Sequence, residues 1–375
     1  MKKSLFVSFF IFLCFTACKK DKKEQPTPSK GFDRQAMLQN IGENNIVPSF
    51  KKFSIATEAL VTACDDFTHE PSDAKLQIAE KRWLEASSAW KLCELYYFGP
   101  MEDRLLKGGI DLWPVPGENV EEVIASTAVI NDAYIESKGG YFKGLKAIEY
   151  LLFNNSEAYT YIINQYTTDT LAERRKECLN ALAINLNKKA GLLYDAWQPA
   201  SGNYLQAFVT ASGTDISSSI SKMVNQMVYF TDFIRNQKLG VPLGKMNGDV
   251  RQPDKVESLQ SKTSLDNIRD NLTSLETLFL GRSLQGENGL GFDDFLDFNN
   301  TRYGDHLLSQ EIIMRLKNAK EKVTQVNMPL QEAVLNDPSA VEAAYLAMKD
   351  LLVVLKTDMV SSLGIGLTFT DNDGD

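Results

Sequence analysis

The chain has 375 residues, a formal net charge of −9 and a pI near 5.0. Its length is enough for about two domains, and its acidity argues against a nucleic-acid partner, which needs a basic face.

Met1 to Cys18 reads as a bacterial lipoprotein signal. Lys2 and Lys3 form a basic start, Leu5 to Phe15 an apolar run, and Phe15-Thr16-Ala17-Cys18 a lipobox-like end. The apolar run is too short for a typical spanning helix. Residues 1–17 are therefore expected to be removed, with lipid placed on the Cys18 sulfur and the chain held to a membrane. Residues 18–30 are charged, hold two prolines, and contain no apolar side chain after Cys18. They read as a tether that adds nothing to a core. Of five cysteines, Cys64, Cys93 and Cys178 then remain. Three thiols with no C-x-x-C spacing make neither a disulfide framework nor a zinc knuckle.

From residue 31 the pattern is helical throughout, with Gly and Pro grouped at a few breaks. Residues 32–67 predict one helix that Pro48 kinks or splits. Ser72-Asp73 start a helix running to Phe98, stopped by Gly99-Pro100. Residues 108–117 (GGIDLWPVPG) form a stiff loop around Trp113. Residues 139–153 (GGYFKGLKAIEYLLF) predict a helix apolar on nearly every side, hence buried. Lys146 and Glu149, three apart, share one face of it. Buried charges are rare unless paired or used, so this is either a core ion pair or a site. A first bundle over 31–166 and a second over 167–375 are expected. The second comprises helices over 170–197, 203–239, 254–280, 292–298, 302–326 and 338–363. The Ser-rich stretch 217–221 reads as a place of close helix packing. Together the elements predict an all-α fold of two helical bundles in series.

Several short segments carry a resemblance. Gly144, Glu149 and Leu151 to Phe153 resemble the GxHxxE signature of the imelysin-like family, with Lys146 at the histidine position. Ile110-Asp111-Leu112-Trp113-Pro114 resembles its ID-x-WP segment, and Glu94 through Phe98-Gly99 its E-x-x-x-FG segment. Pro253 with Val256-Glu257-Ser258, and Leu367-Thr368-Phe369 with the acidic tail, resemble later family stretches. The resemblance implies a cell-envelope lipoprotein at the outer membrane, on its periplasmic or surface face, associated with iron uptake and its components. It implies a ligand or metal site, with iron or another cation as cofactor. The alternatives it leaves are a metallopeptidase and a protein- or haem-binding scaffold.

A His and a Glu at i, i+3 aim two lone pairs at one point, but a lysine ammonium offers none and repels a cation. What survives for metal is a carboxylate set of Glu149, Asp111 and Glu94, suited to hard cations. The opposite reading makes Lys146 replace the metal's charge and engage an anion. For a ligand the expected residues are Asp111, Trp113, Lys146, Glu149 and Glu257, the last across the bundle boundary. Peptidase chemistry finds no H-E-x-x-H and only two histidines, His69 and His306. The tail 371–375 (DNDGD) begins like a calcium loop but lacks the downstream glutamate.

Overall fold

Pro48 does not split its helix. Helix α1 (Arg34–Ile41) runs through a π-helical stretch, Gly42–Ile46, into α2 (Val47–His69), with Pro48 in the first turn of α2. The wider π turn directly precedes the residue that lacks an N–H, and the chain stays helical through it. This computed structural model describes residues 31–153 and 158–368. The expected signal, the lipid site Cys18, the tether, Phe369 and the tail 371–375 lie outside the described residues.

Beyond α2 the longer helices are α3 (Asp73–Cys93), α4 (Gly117–Ala125), α5 (Leu145–Leu152), α6 (Tyr159–Thr167) and α7 (Ala172–Trp197). Then come α8 (Ser219–Phe233), α9 (Ser264–Phe279), α10 (Leu308–Gln325) and α11 (Pro338–Val353). The fold is all-α. From Asp33 onward the described chain forms one compact unit. Within it α2 packs along both α3 and α7, and α5 and α6 lie against α3 and α7. A second group holds α9 against α10, α10 against α11, and α8 against α11; α9 also lies on α3 and joins the groups.

The expected boundary at 166/167 falls in the last turn of α6, before α7, yet α7 lies along α2. Its buried stripe of Leu179, Leu182, Leu186 and Leu193 belongs to the first core, as does Trp197 against Phe50, Phe98 and Phe208. Cys64, Cys93 and Cys178 are free and buried. No helix of the described residues is long and apolar enough to cross a membrane.

Three expected elements differ in detail. The helix foreseen over 203–239 is broken: Tyr204–Thr210 ends, and α8 starts only at Ser219. Ser218 Oγ accepts from the Ser221 N–H at 3.2 Å, so the serines cap a helix here. The helix foreseen from 254 starts at Ser264, after a 3-10 turn at Pro253–Lys255. A two-residue hairpin, Arg302–Tyr303 against His306–Leu307, precedes α10, with Gly304 at φ +57° in its turn.

Candidate functional site: a buried lysine–carboxylate centre

The last turn of α3 carries Lys91, fully buried, and Glu94 follows at the helix end. One helical turn, Lys107–Ile110, then delivers Asp111, where the extended 111–116 loop begins. The Trp90 indole N–H donates to Asp111 Oδ2 at 3.0 Å, tying that loop to α3. Helix α5 brings Lys146 and Glu149. Its start depends on Gly144, which has φ +81°; a Cβ there would stand 2.4 Å from the Ile110 carbonyl oxygen. The glycine of the sequence signature thus lets α5 approach the Asp111 segment, in a backbone region L-residues avoid. Gly144→Ala is expected to lower the unfolding free energy by about 1–3 kcal/mol, read as the urea midpoint. An unchanged midpoint would refute this account of the glycine.

From the other group of helices come Lys238, Glu257 and Asn271. Lys238 lies in a second π-helical stretch, Ile234–Gly240, that continues α8. Glu257 sits in the loop before α9, not on a helix as foreseen, and Asn271 lies on α9.

These side chains form one network. Lys91 Nζ donates to Glu94 at 3.1 Å, to Glu257 at 2.6 Å, and to Asp111. Lys238 Nζ donates to Glu94 at 3.2 Å, Glu257 at 2.9 Å and Asn271 at 2.6 Å. Lys146 Nζ donates to Glu149 at 3.2 Å and to Ser258 Oγ at 2.6 Å, with Asp111 Oδ1 4.0 Å away. Lys107 Nζ lies 3.4 Å from Glu94 Oε1. Asn267 donates to Glu257 at 3.2 Å, and Ser261 donates to Glu149 through its backbone N–H and its hydroxyl. Four lysines (91, 107, 146, 238) thus meet four carboxylates (94, 111, 149, 257), and the formal charges cancel. Two buried carboxylate oxygens, Glu94 Oε1 and Asp111 Oδ1, have no hydrogen-bond donor.

Burial alone would drive the Lys91 ammonium toward neutrality. The Asp111, Glu257 and Glu94 carboxylates outweigh it and hold its pKa well above the ordinary lysine value. Burial opposes ionisation of Glu257 too, but Lys238, Lys91 and Lys146 pull it down to about 2. Glu94 is likewise held well below the usual range: Lys238, Lys91 and Lys107 outweigh its desolvation. For Lys146 the Glu149 and Asp111 charges overcome burial and raise it. Lys238 is the exception, since burial wins over Glu257 and Glu94 and lowers its pKa.

Two clefts flank Trp113. One, of about 540 Å³, is walled by Tyr97, Trp113, Tyr229 and Phe233, with Asp111 and Lys107 also lining it. The other, of about 280 Å³, is lined by Trp113, Tyr150, Lys146, Glu149 and Glu257. Trp113 packs edge-on against Phe233 with ring centroids 6.2 Å apart.

The sequence-derived residues Glu94, Asp111, Lys146, Glu149 and Glu257 are therefore brought together, and Trp113 stands between the cleft that Asp111 lines and the one lined by Lys146, Glu149 and Glu257. Glu149 stands apart from the tightest carboxylate group, which is Glu94, Asp111 and Glu257, with oxygens within 4.8 Å of one another. Sequence reasoning missed Lys91, Lys107 and Lys238. Lys91 had a signal, a lysine between Trp90 and Leu92 and three before Glu94; Lys238 had none. The histidines lie elsewhere: His69 Nδ1 is 3.0 Å from the Asp65 carbonyl, and His306 Nε2 is 2.9 Å from Glu311.

Fold and site together define a class: an all-helical, two-group protein with a buried, charge-balanced lysine–carboxylate centre where the groups meet. The chain belongs to the imelysin family, whose sequence model matches residues 46–355. It is 26% identical over 256 residues to Iron-regulated protein A of Synechococcus elongatus, covering 66% of this chain and 65% of that protein. The match thus spans just under two thirds of that relative's length. Its fold is similar to the crystal structure of a candidate iron-regulated protein A precursor from Parabacteroides distasonis. There the TM-score is 0.73 and the identity 18%, over 90% of this chain and 97% of that one. An imelysin-like protein from Psychrobacter arcticum is similar too, with a TM-score of 0.70 and 15% identity over the same shares.

Proposed function

We propose that this protein is a lipid-anchored cell-envelope binding protein with an iron-related role, whose centre is balanced by its own lysines in place of a metal ion. It takes a small ligand in the cleft beside Trp113 and does not hydrolyse peptides. The iron association is supported by the name of its Synechococcus relative, Iron-regulated protein A. The anchor rests on the lipobox-like end at Cys18.

One observation carries the reading: the Lys91 ammonium bonds all three carboxylates of the group that would otherwise suit a hard cation. An ion entering there meets a bound positive charge where it needs free lone pairs. A resident iron or zinc therefore does not fit this donor set. The expected metal ligand Glu149 is also engaged, one oxygen by Lys146 and the other by Ser261. A ligand that suits the larger cleft has a planar or apolar body, for its four aromatic walls, and a polar group, since Lys107, Asp232 and Gln237 also line it.

Elemental analysis of the purified protein is expected to find iron and zinc far below one per chain, and a peptide panel with added zinc to stay intact. Thermal-shift screening of small aromatic amines and amides is expected to give stabilising hits that Trp113→Ala loses. Stoichiometric metal that disappears in Glu94→Gln or Asp111→Asn, or zinc-dependent cleavage, would overturn the proposal.

A further inference from the structure

A separate cavity of about 840 Å³ lies between α2, α3, α9 and the loop that follows α9. It shares no lining residue with the two clefts at Trp113. On α2 its wall is Pro48, Lys51, Lys52, Ile55, Ala56 and Ala59. Those positions recur at three and four residues, so they form one continuous stripe of the helix. Ile55 on this stripe is 57% exposed, an apolar side chain left open beside two lysines. Leu92 and Leu284 add apolar wall from α3 and the loop.

The charges around the cavity are unbalanced. Arg82 is neutralised by Glu85 at 2.6 Å, and Glu276 by Lys320 at 2.6 Å. Lys51, Lys52 and Arg282 then remain, with no carboxylate at ion-pair distance among the described residues. In a chain of net charge −9, three cations without an ion-pair partner round one partly apolar cavity are a local reversal of sign, with Asp270, among the described residues, the one carboxylate shown to feel Lys52.

The loop wall is fixed in place. Asn40 donates to the Gly281 carbonyl at 2.7 Å and to the Leu290 carbonyl at 2.9 Å, and Asn45 to the Arg282 carbonyl at 3.2 Å. Arg282 is thereby held opposite the α2 stripe by hydrogen bonds that do not involve its guanidinium.

We propose that this cavity binds an amphipathic anion, a carboxylate on an aliphatic body of fatty-acid type. The α2 stripe and the two leucines take the chain; Lys51, Lys52 and Arg282 take the head group through charge-assisted hydrogen bonds. The volume lies within the range of small-molecule sites.

Calorimetry with dodecanoate below its micelle concentration tests the assignment on the full chain. Saturable binding is expected, weakened about tenfold or more in Lys51→Gln/Lys52→Gln and again in Arg282→Gln. Ile55→Asp is expected to weaken it through the apolar wall. Lys317→Gln, which removes an exposed charge on α10, is expected to bind as wild type; its side chain is 76% exposed. The altered side chains are at the surface, and circular dichroism confirms that each variant is folded. No saturable binding at millimolar dodecanoate would overturn the proposal. So would equal binding of dodecanol, equal loss in Lys317→Gln, or binding to anionic vesicles without binding to the free acid.

Discussion

Lys91→Met is expected to lower the unfolding free energy by about 3–5 kcal/mol, a large share of the stability of an ordinary domain. Methionine keeps the apolar stem of lysine as far as Cε, so what is removed is the ammonium. Lys91 Nζ binds Glu94, Asp111 and Glu257, whose oxygens crowd within 4.8 Å of one another. Without it, Lys238 still holds Glu94 and Glu257, but Asp111 keeps only Trp90 and a lysine 4.0 Å off. Like charges in low dielectric then repel, and part of the chain's desolvation cost is no longer offset. Urea unfolding at neutral pH measures the effect. A midpoint within about 0.5 kcal/mol of wild type, the range of ordinary surface changes, would mean the network does not hold the two groups of helices together.

A companion substitution separates stabilisation by charge from stabilisation by shape. Lys91→Ala opens space among the three carboxylates. If the ammonium stands where a cation's charge is needed, manganese or ferric ion is expected to raise the melting temperature of Lys91→Ala and leave wild type unmoved. Equal effects on both would place any metal elsewhere.

The all-helical class was legible because Gly and Pro fall at the breaks and apolar positions recur at helical spacing between them. Lys146 and Glu149 could be singled out because charge inside an apolar helix is costly enough to need a partner. Asp111 and Trp113 were marked by the stiff prolines around them. The rest was hidden for physical reasons. Lys238 reaches the centre from a π-helical stretch, whose widened turn shifts side chains off the 3.6-residue periodicity that a sequence reading assumes. The helix expected over 254–280 takes in Glu257 because apolar positions recur from Val256 onward; Pro253 in fact opens only a 3-10 turn, and the helix starts at Ser264. The pairing of Lys91 with Glu257 spans 166 positions, so no local pattern encodes it. The helix expected over 170–197 reads as part of the second bundle because it follows a polar break. It lies along α2, and Trp197 packs on Phe50 and Phe98 as well as on Tyr204 and Phe208.

Acid is expected to dissolve the same centre. Glu257 is pulled from 4.5 to about 2 because Lys238, Lys91 and Lys146 together outweigh its desolvation. Glu94 is displaced in the same direction by Lys238, Lys91 and Lys107. A carboxyl whose folded pKa is depressed contributes stability that is complete above its unfolded pKa and is lost as pH falls through the folded one. For Glu257 the window therefore runs from about pH 4.5 down to about 2, and its span corresponds to roughly 3 kcal/mol. Lys91 and Lys146, held above the ordinary lysine value, stay charged across that window and add no slope there. Urea midpoints for wild type and Glu257→Gln, taken from pH 7 to pH 2, isolate this group from the surface carboxylates. At pH 7 the variant is expected to be less stable by about the same 3 kcal/mol, and the gap is expected to narrow below pH 4.5. A gap that stays constant down to pH 2 would mean that Glu257 is not held ionised by its lysines. The buried centre would then be a packing feature and not an electrostatic one.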